Sequence, residues 1–265
     1  MLTPAPREAS VVARFLHFST ALSASCAARS EVIGLIFLGS AADIQRIDQW
    51  SDHDFFVITK NGEQEKLRQD LSWLPNFEKV AFSFRETAHG LKVLYLNGAV
   101  LEFAIFDCAE LASCKVNHHA LEFGSPEVAK ALSIAAARLN ESTIIAPLVD
   151  FRLFLSLLVI GVGRARRGEL LTAGIGIRSS ALSSLIKVFT QWLGPDERLD
   201  QLDFSRRFET VHPILGARLA KAVAHEPELA ARELLQIAGE FLPGIWPGYP
   251  HDNVDVVQRV LGWNE

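Results

Sequence analysis

An apolar run, Ile33 to Leu38, closes on Gly39-Ser40; eleven residues later Asp52 and Asp54 lead into a second run, Phe55-Phe56-Val57-Ile58. A glycine turn lets backbone come close to a phosphate. Residues two apart in a strand point to one face, so a strand over 52–59 would let Asp52 and Asp54 converge on one site. Mg²⁺ is usually held by one or two carboxylates together with substrate phosphates. Transfer chemistry on a nucleoside triphosphate is what such a set could perform. The same residues without a function would be a turn and a buried strand that begins with acids. What sets this pair apart from a chance Asp-x-Asp is the Gly-Ser at the end of the preceding apolar strand.

A third acid, Glu102, stands inside Ala99-Val100-Leu101-Glu102-Phe103-Ala104-Ile105-Phe106. A charge buried in a strand is costly unless it is paired or binds metal, so Glu102 is expected either to join the site or to pair with Arg85 or Lys92. Asp107 ends this run and reads as a helix cap. With these residues in view, Leu38-Gly39-Ser40 and Ser51-Asp52-His53-Asp54-Phe55-Phe56-Val57 resemble the signature of the polymerase-β-type nucleotidyltransferase superfamily, over roughly residues 30–107. The resemblance implies that Gly39 and Ser40 contact a triphosphate at a helix start. It implies that Asp52 and Asp54 bind Mg²⁺, with Glu102 as third carboxylate, either metal ligand or general base. A palm-like domain followed by a helical bundle resembles the aminoglycoside and lincosamide nucleotidyltransferases, where Glu at the third position has precedent. That resemblance implies transfer of AMP from ATP to a hydroxyl of a small molecule, with antibiotic modification as the first substrate class.

The positioning elements follow from periodicity. Val11, Val12, Phe15, Leu16, Leu22 and Cys26 recur near the helical period, predicting an amphipathic helix over 7–29. The strand 33–38 follows, then a short helix from Ser40 over 41–50, whose start would turn backbone amides toward an anion. A strand over 53–59, a turn at Lys60-Asn61-Gly62, a helix over 63–73 and a strand over 78–84 come next. Asn97-Gly98 between Leu91–Leu96 and Ala99–Phe106 predicts a tight hairpin carrying Glu102 on a central strand. Ser125 as cap, Pro126 and Glu127 announce a helix. Helices are expected over 126–140, 147–167, 177–193, 212–224, 226–241 and 251–262. The fold class is therefore α+β: a palm-like mixed sheet with helices over 1–120, then an all-helical bundle over 121–265.

The chain has 265 residues, 49% of them apolar, enough for a full core and two modest domains. A net charge of −5 argues against a nucleic-acid substrate, which would call for excess Lys and Arg. Cys26, Cys108 and Cys114 form no CxxC pair and read as reduced thiols of a cytoplasmic protein without a zinc site. The N-terminus lacks the order of a signal peptide, and Leu153 to Gly163 is too short to span a bilayer, so no membrane association is expected. A homodimer is compatible with the sequence.

Other features carry less. Gly161-Val162-Gly163-Arg164 lacks the third glycine of a dinucleotide fingerprint. His118-His119 diverge on any regular element. Arg164, Arg166 and Arg167 either cap a helix C-terminus or meet a triphosphate. Pro243 to Pro250 is a rigid aromatic loop, for core packing or for an acceptor wall. Three competing functions remain in view: protein nucleotidylation, a non-catalytic nucleotide-binding module, and a Mn²⁺ glycosyltransferase. The long helical tail, the intact acid set and the single strand ahead of Asp52 respectively weigh against them.

Overall fold

The computed structural model describes residues 6–139, 146–194, 196 and 198–263. The chain divides into two compact units, Met1–Ser142 and Thr143–Glu265.

In the first unit, six strands among the described residues form one mixed sheet in the order β3-β4-β5-β2-β1-β6. They are β1 (Val32–Leu38), β2 (His53–Thr59), β3 (Val80–Arg85), β4 (Gly90–Tyr95), β5 (Val100–Phe106) and β6 (His119–Gly124). Strand β2 runs antiparallel to β1 and parallel to β5, and the register sets Asp54 beside Glu102. Strands β4 and β5 are the hairpin predicted from Asn97-Gly98, and β5 is central.

Period-two alternation gives the sheet two faces. Leu35, Phe37, Phe55, Val57, Leu91, Val93, Leu101 and Phe103 point to one. They pack with Leu22 and Cys26 of α1 (Pro6–Ala27) and Leu67 of α2 (Gln64–Gln69). On the other face Ile36, Ile58, Ala104 and Phe106 pack with Leu111 of α3 (Cys108–Ser113) and Val128, Leu132 and Ala135 of α4 (Pro126–Ala137). Helix α4 comes so close that a Cβ on Gly34 would lie 2.8 Å from a Val128 methyl. Asp107 and Glu110 form a capping box on α3, and the Ser125 hydroxyl accepts from the Val128 amide, as the sequence predicts.

Several expectations need correction. The helix over 41–50 is two 3₁₀ turns, Gly39–Ala42 and Ile44–Arg46. Asp43 accepts from the Gln45 amide and Asp48 from the Trp50 amide, local bonds that compete with an α-helix. The helix over 63–73 stops at Gln69, because Asp70 turns back to the Ser72 amide. Strand β6 is not in the sequence reading; it pairs with β1, so a boundary at 120 would divide a strand of the sheet and detach α4.

The second unit is helical among its described residues. Helix α5 (Pro147–Arg166) turns Phe151, Phe154, Leu155, Leu158 and Val162 into the core. Around it lie α6 (Leu170–Ile175), a π-helical turn Gly176–Ala181, α7 (Leu182–Leu193), α8 (Phe208–Val211), α9 (Pro213–Val223), α10 (Pro227–Phe241) and α11 (His251–Leu261). The aromatic loop is part of this core: Trp246 stacks on Trp192 at 5.4 Å, and Tyr249 lies 5.3 Å from Phe151. Arg166 pairs with Glu228 and donates to the Leu261 carbonyl, while Arg167 pairs with Glu169 at 2.9 Å. The Gly161-Val162-Gly163 segment is helical, and Gly161 admits Ile177 to a distance no Cβ would allow. Among the described residues no helix is long and apolar enough to cross a membrane.

Candidate metal centre

Asp54 lies on β2 and Glu102 on β5, on the face opposite α1, while Asp52 immediately precedes β2. One carboxylate oxygen from each of Asp52, Asp54 and Glu102 can be chosen so that all three lie within 4.8 Å of one another. No other group of three or more His, Cys, Asp or Glu side chains among the described residues meets this spacing. The helices α3 and α4 cover the same face further along the strands and leave this end open. Asp52 and Asp54 are half-buried and Glu102 is exposed.

Glu102 departs from the expectation of a buried charge: its side chain is 52% exposed. One of its two expected partners is present, with Lys92 Nζ at 3.4 Å on the neighbouring strand β4. Arg85 points to the opposite face and pairs with Glu65 at 2.7 Å. Lys92 is shared, standing 3.0 Å from Glu86, and the Glu86 bond, followed by the charge of Glu102, raises its pKa.

The Gly-Ser turn is fastened beside the acids. Gly39 has φ +52°, the left-handed region that glycine tolerates, and a Cβ there would stand 3.1 Å from Asp54 Oδ2. Its amide donates to the His118 carbonyl at 3.0 Å, and the Ser40 hydroxyl donates to the Asp52 carbonyl at 3.4 Å. The turn and the acids thus form one local assembly. The amide of Gly39 is engaged with the residue just ahead of β6 and does not point outward as a helix-start donor would.

His53 received no role from the sequence. It points to the other face, 6% exposed, stacked on Phe15 at 3.7 Å with Nε2 3.2 Å from the Phe15 carbonyl. Burial pushes its pKa down from 6.5 to about 4, so the ring is neutral between two acids at pH 7. The alternating signal was legible, since a side chain between two site residues on a strand must face away from them.

Three clustered oxygens without Cys or His are a hard donor set, which suits Mg²⁺ or Mn²⁺ and not zinc. A cleft of about 890 Å³ opens beside Asp52, lined among others by Arg14 and His17 of α1, by Trp50, and by Asn97 and Val100 at the hairpin.

No protein-family profile and no curated protein matches the chain. Among solved structures it is similar to an aminoglycoside 6-adenyltransferase from Bacillus subtilis, at 13% identity and TM-score 0.30 over 93% of this chain and 97% of that one. It is also similar to a nucleotidyltransferase-like protein from Exiguobacterium sibiricum, at 12% identity and TM-score 0.31 over 93% and 88%. Likenesses this slight carry no argument about function, which has to come from the site.

Proposed function

We propose that this chain is a Mg²⁺-dependent nucleotidyltransferase moving a nucleoside monophosphate, AMP by family resemblance, from a triphosphate to a hydroxyl of a small molecule and releasing pyrophosphate. The observation that carries the reading is the convergence of Asp52, Asp54 and Glu102 within 4.8 Å, beside a left-handed glycine turn. The antibiotic class of acceptor comes from the resemblance alone.

Asp52, Asp54 and Glu102 would hold the cation. When bound, it neutralises charge that develops on the phosphates during in-line displacement. Gly39, lacking a side chain, leaves room beside Asp54 for a phosphate, and the Ser40 hydroxyl would turn to it from its long bond to the Asp52 carbonyl. The acceptor oxygen bonds to the α-phosphorus as the bond to pyrophosphate breaks. Glu102, the most open of the three acids, takes the acceptor proton, a role that requires hydrogen-bond reach. The turn follows β1 and Glu102 lies on β5, on opposite sides of β2, which matches the opposed entering and leaving groups of an in-line reaction.

The test is incubation of the full chain with each of the four labelled nucleoside triphosphates, Mg²⁺ and a panel of aminoglycosides, lincosamides and candidate proteins, read by mass shift and pyrophosphate release. Asp54→Asn should abolish transfer and leave melting unchanged or raised, since separating clustered carboxylates relieves repulsion. Undiminished turnover in that variant would rule out the site.

A further inference from the structure

The open end of the carboxylate face continues past Glu102 to the sheet edge. The register aligns Asp54, Glu102, Lys92 and Phe84 in one row across β2, β5, β4 and β3. The next row holds Val100, Leu94 and Phe82. Phe82 is 55% exposed, Phe84 48% and Val100 37%, and Leu94 is half-buried. Their neighbours in sequence, Leu91, Val93 and Leu101, are committed to the opposite core, so this apolar row contributes nothing to packing under α1 and α2. Two phenylalanines turned to solvent on an edge strand are a liability unless they serve binding.

The position of this patch decides its occupant. The Gly39 turn lies on the β1 side of Asp54, so under the nucleotidyl-transfer reading a triphosphate held there would send its leaving group away from β5. The attacking hydroxyl then arrives over β5, and the rest of that molecule extends over β4 and β3. The cation of that row, Lys92, is held between Glu86 and Glu102, which leaves apolar contact as what the surface offers.

We propose that Phe82, Phe84, Leu94 and Val100 form the acceptor subsite, and that the acceptor is a hydroxyl-bearing small molecule with a planar or otherwise apolar ring. At the usual spacing of neighbouring strands, that ring sits about 10 Å from Glu102. The proposal rests on the nucleotidyl-transfer reading. It narrows that reading's substrate class away from acceptors that are polar throughout.

The experiment uses the full chain and two probes, p-nitrophenyl β-D-glucoside and methyl β-D-glucoside, which share the sugar and differ in the aryl ring. Binding is measured by saturation-transfer NMR without nucleotide, and transfer is measured with Mg²⁺-ATP. Wild type should bind the aryl glucoside in preference to the methyl glucoside. Phe82→Ser with Phe84→Ser should weaken aryl binding by about tenfold and leave ATP affinity within about twofold. Phe82→Leu with Phe84→Trp should restore aryl binding, which separates contact from misfolding. Loss of aryl binding in the serine variant with no transfer to any acceptor in wild type would uphold the subsite and sink the transfer reading. Equal affinity of wild type for the two glucosides would overturn the subsite. So would an ATP affinity that falls with the serines, or a wild-type dimer that they dissociate while aryl binding stays intact.

Discussion

The two faces of strand β2 are built from alternate residues and come out chemically opposite. His53, Phe55 and Val57 face α1 and are buried, and even the histidine there is kept uncharged. Asp54 faces the other way, at an end that α3 and α4 leave uncovered, and two more carboxylates gather beside it. The difference teaches that the closed face supplies the rigidity and the open face uses it. Charged groups can be collected within a few ångströms because the strand beneath them is pinned from behind.

The largest way to break that relation is to hollow the closed face. Phe55 has no exposed surface and stacks on Phe103 at 4.7 Å, so Phe55→Ala should cost about 3–5 kcal/mol in chemical denaturation. Metal affinity should weaken with it, although no ligand is touched. A variant that lost stability yet kept full metal affinity would show the two faces to be independent.

Acid tests the same face more gently. The unfolded chain takes up a proton at His53 near pH 6.5 and the folded chain only near 4, so the stability present above 6.5 is lost as pH falls through that interval. The total is about 3 kcal/mol. Melting curves between pH 7 and 4.5 should show this slope, and His53→Phe should flatten it.

On the open face, Glu102→Gln should cut turnover by about 10²-fold or more, the usual size of a general-base contribution. Because its pair with Lys92 is exposed, stability should change by less than about 1 kcal/mol. A large fall in melting temperature with normal turnover would make Glu102 a structural acid. The smallest effect is expected from Gly39→Ala, which forces a left-handed side chain at a cost of about 1–2 kcal/mol. Its Cβ would also crowd Asp54, so metal affinity should fall beyond what the stability loss accounts for.

What was legible in the sequence was local. The Asp-x-Asp strand start, the Asn-Gly hairpin and the Ser125-Pro126 helix start each depend on a few adjacent residues, and each stands where the pattern puts it, whereas the helix expected after Gly39-Ser40 is a pair of 3₁₀ turns. Strand β6 was not legible. His119 to Gly124 is short and largely exposed, and only β1, some eighty residues earlier in chain order, makes it a strand. The exposure of Glu102 was hidden for a related reason: Leu101 and Phe103 beside it are buried on one face and Ala104 and Phe106 after it on the other, and where α3 and α4 stop short is a tertiary fact. Whether an acid in an apolar run is enclosed depends on the length of a neighbour, which strand periodicity does not encode.

The parallel pairing of β2 with β5 has a consequence in time. Asp54 and Glu102 become neighbours only after α2, β3 and the β4–β5 turn have been made and folded back, so the acid cluster is a product of long-range contact. Pairings of that kind close slowly. During synthesis the Gly39 turn and Asp52-Asp54 leave the ribosome well before their third member, and metal affinity should therefore rise late in refolding, after helical structure has returned.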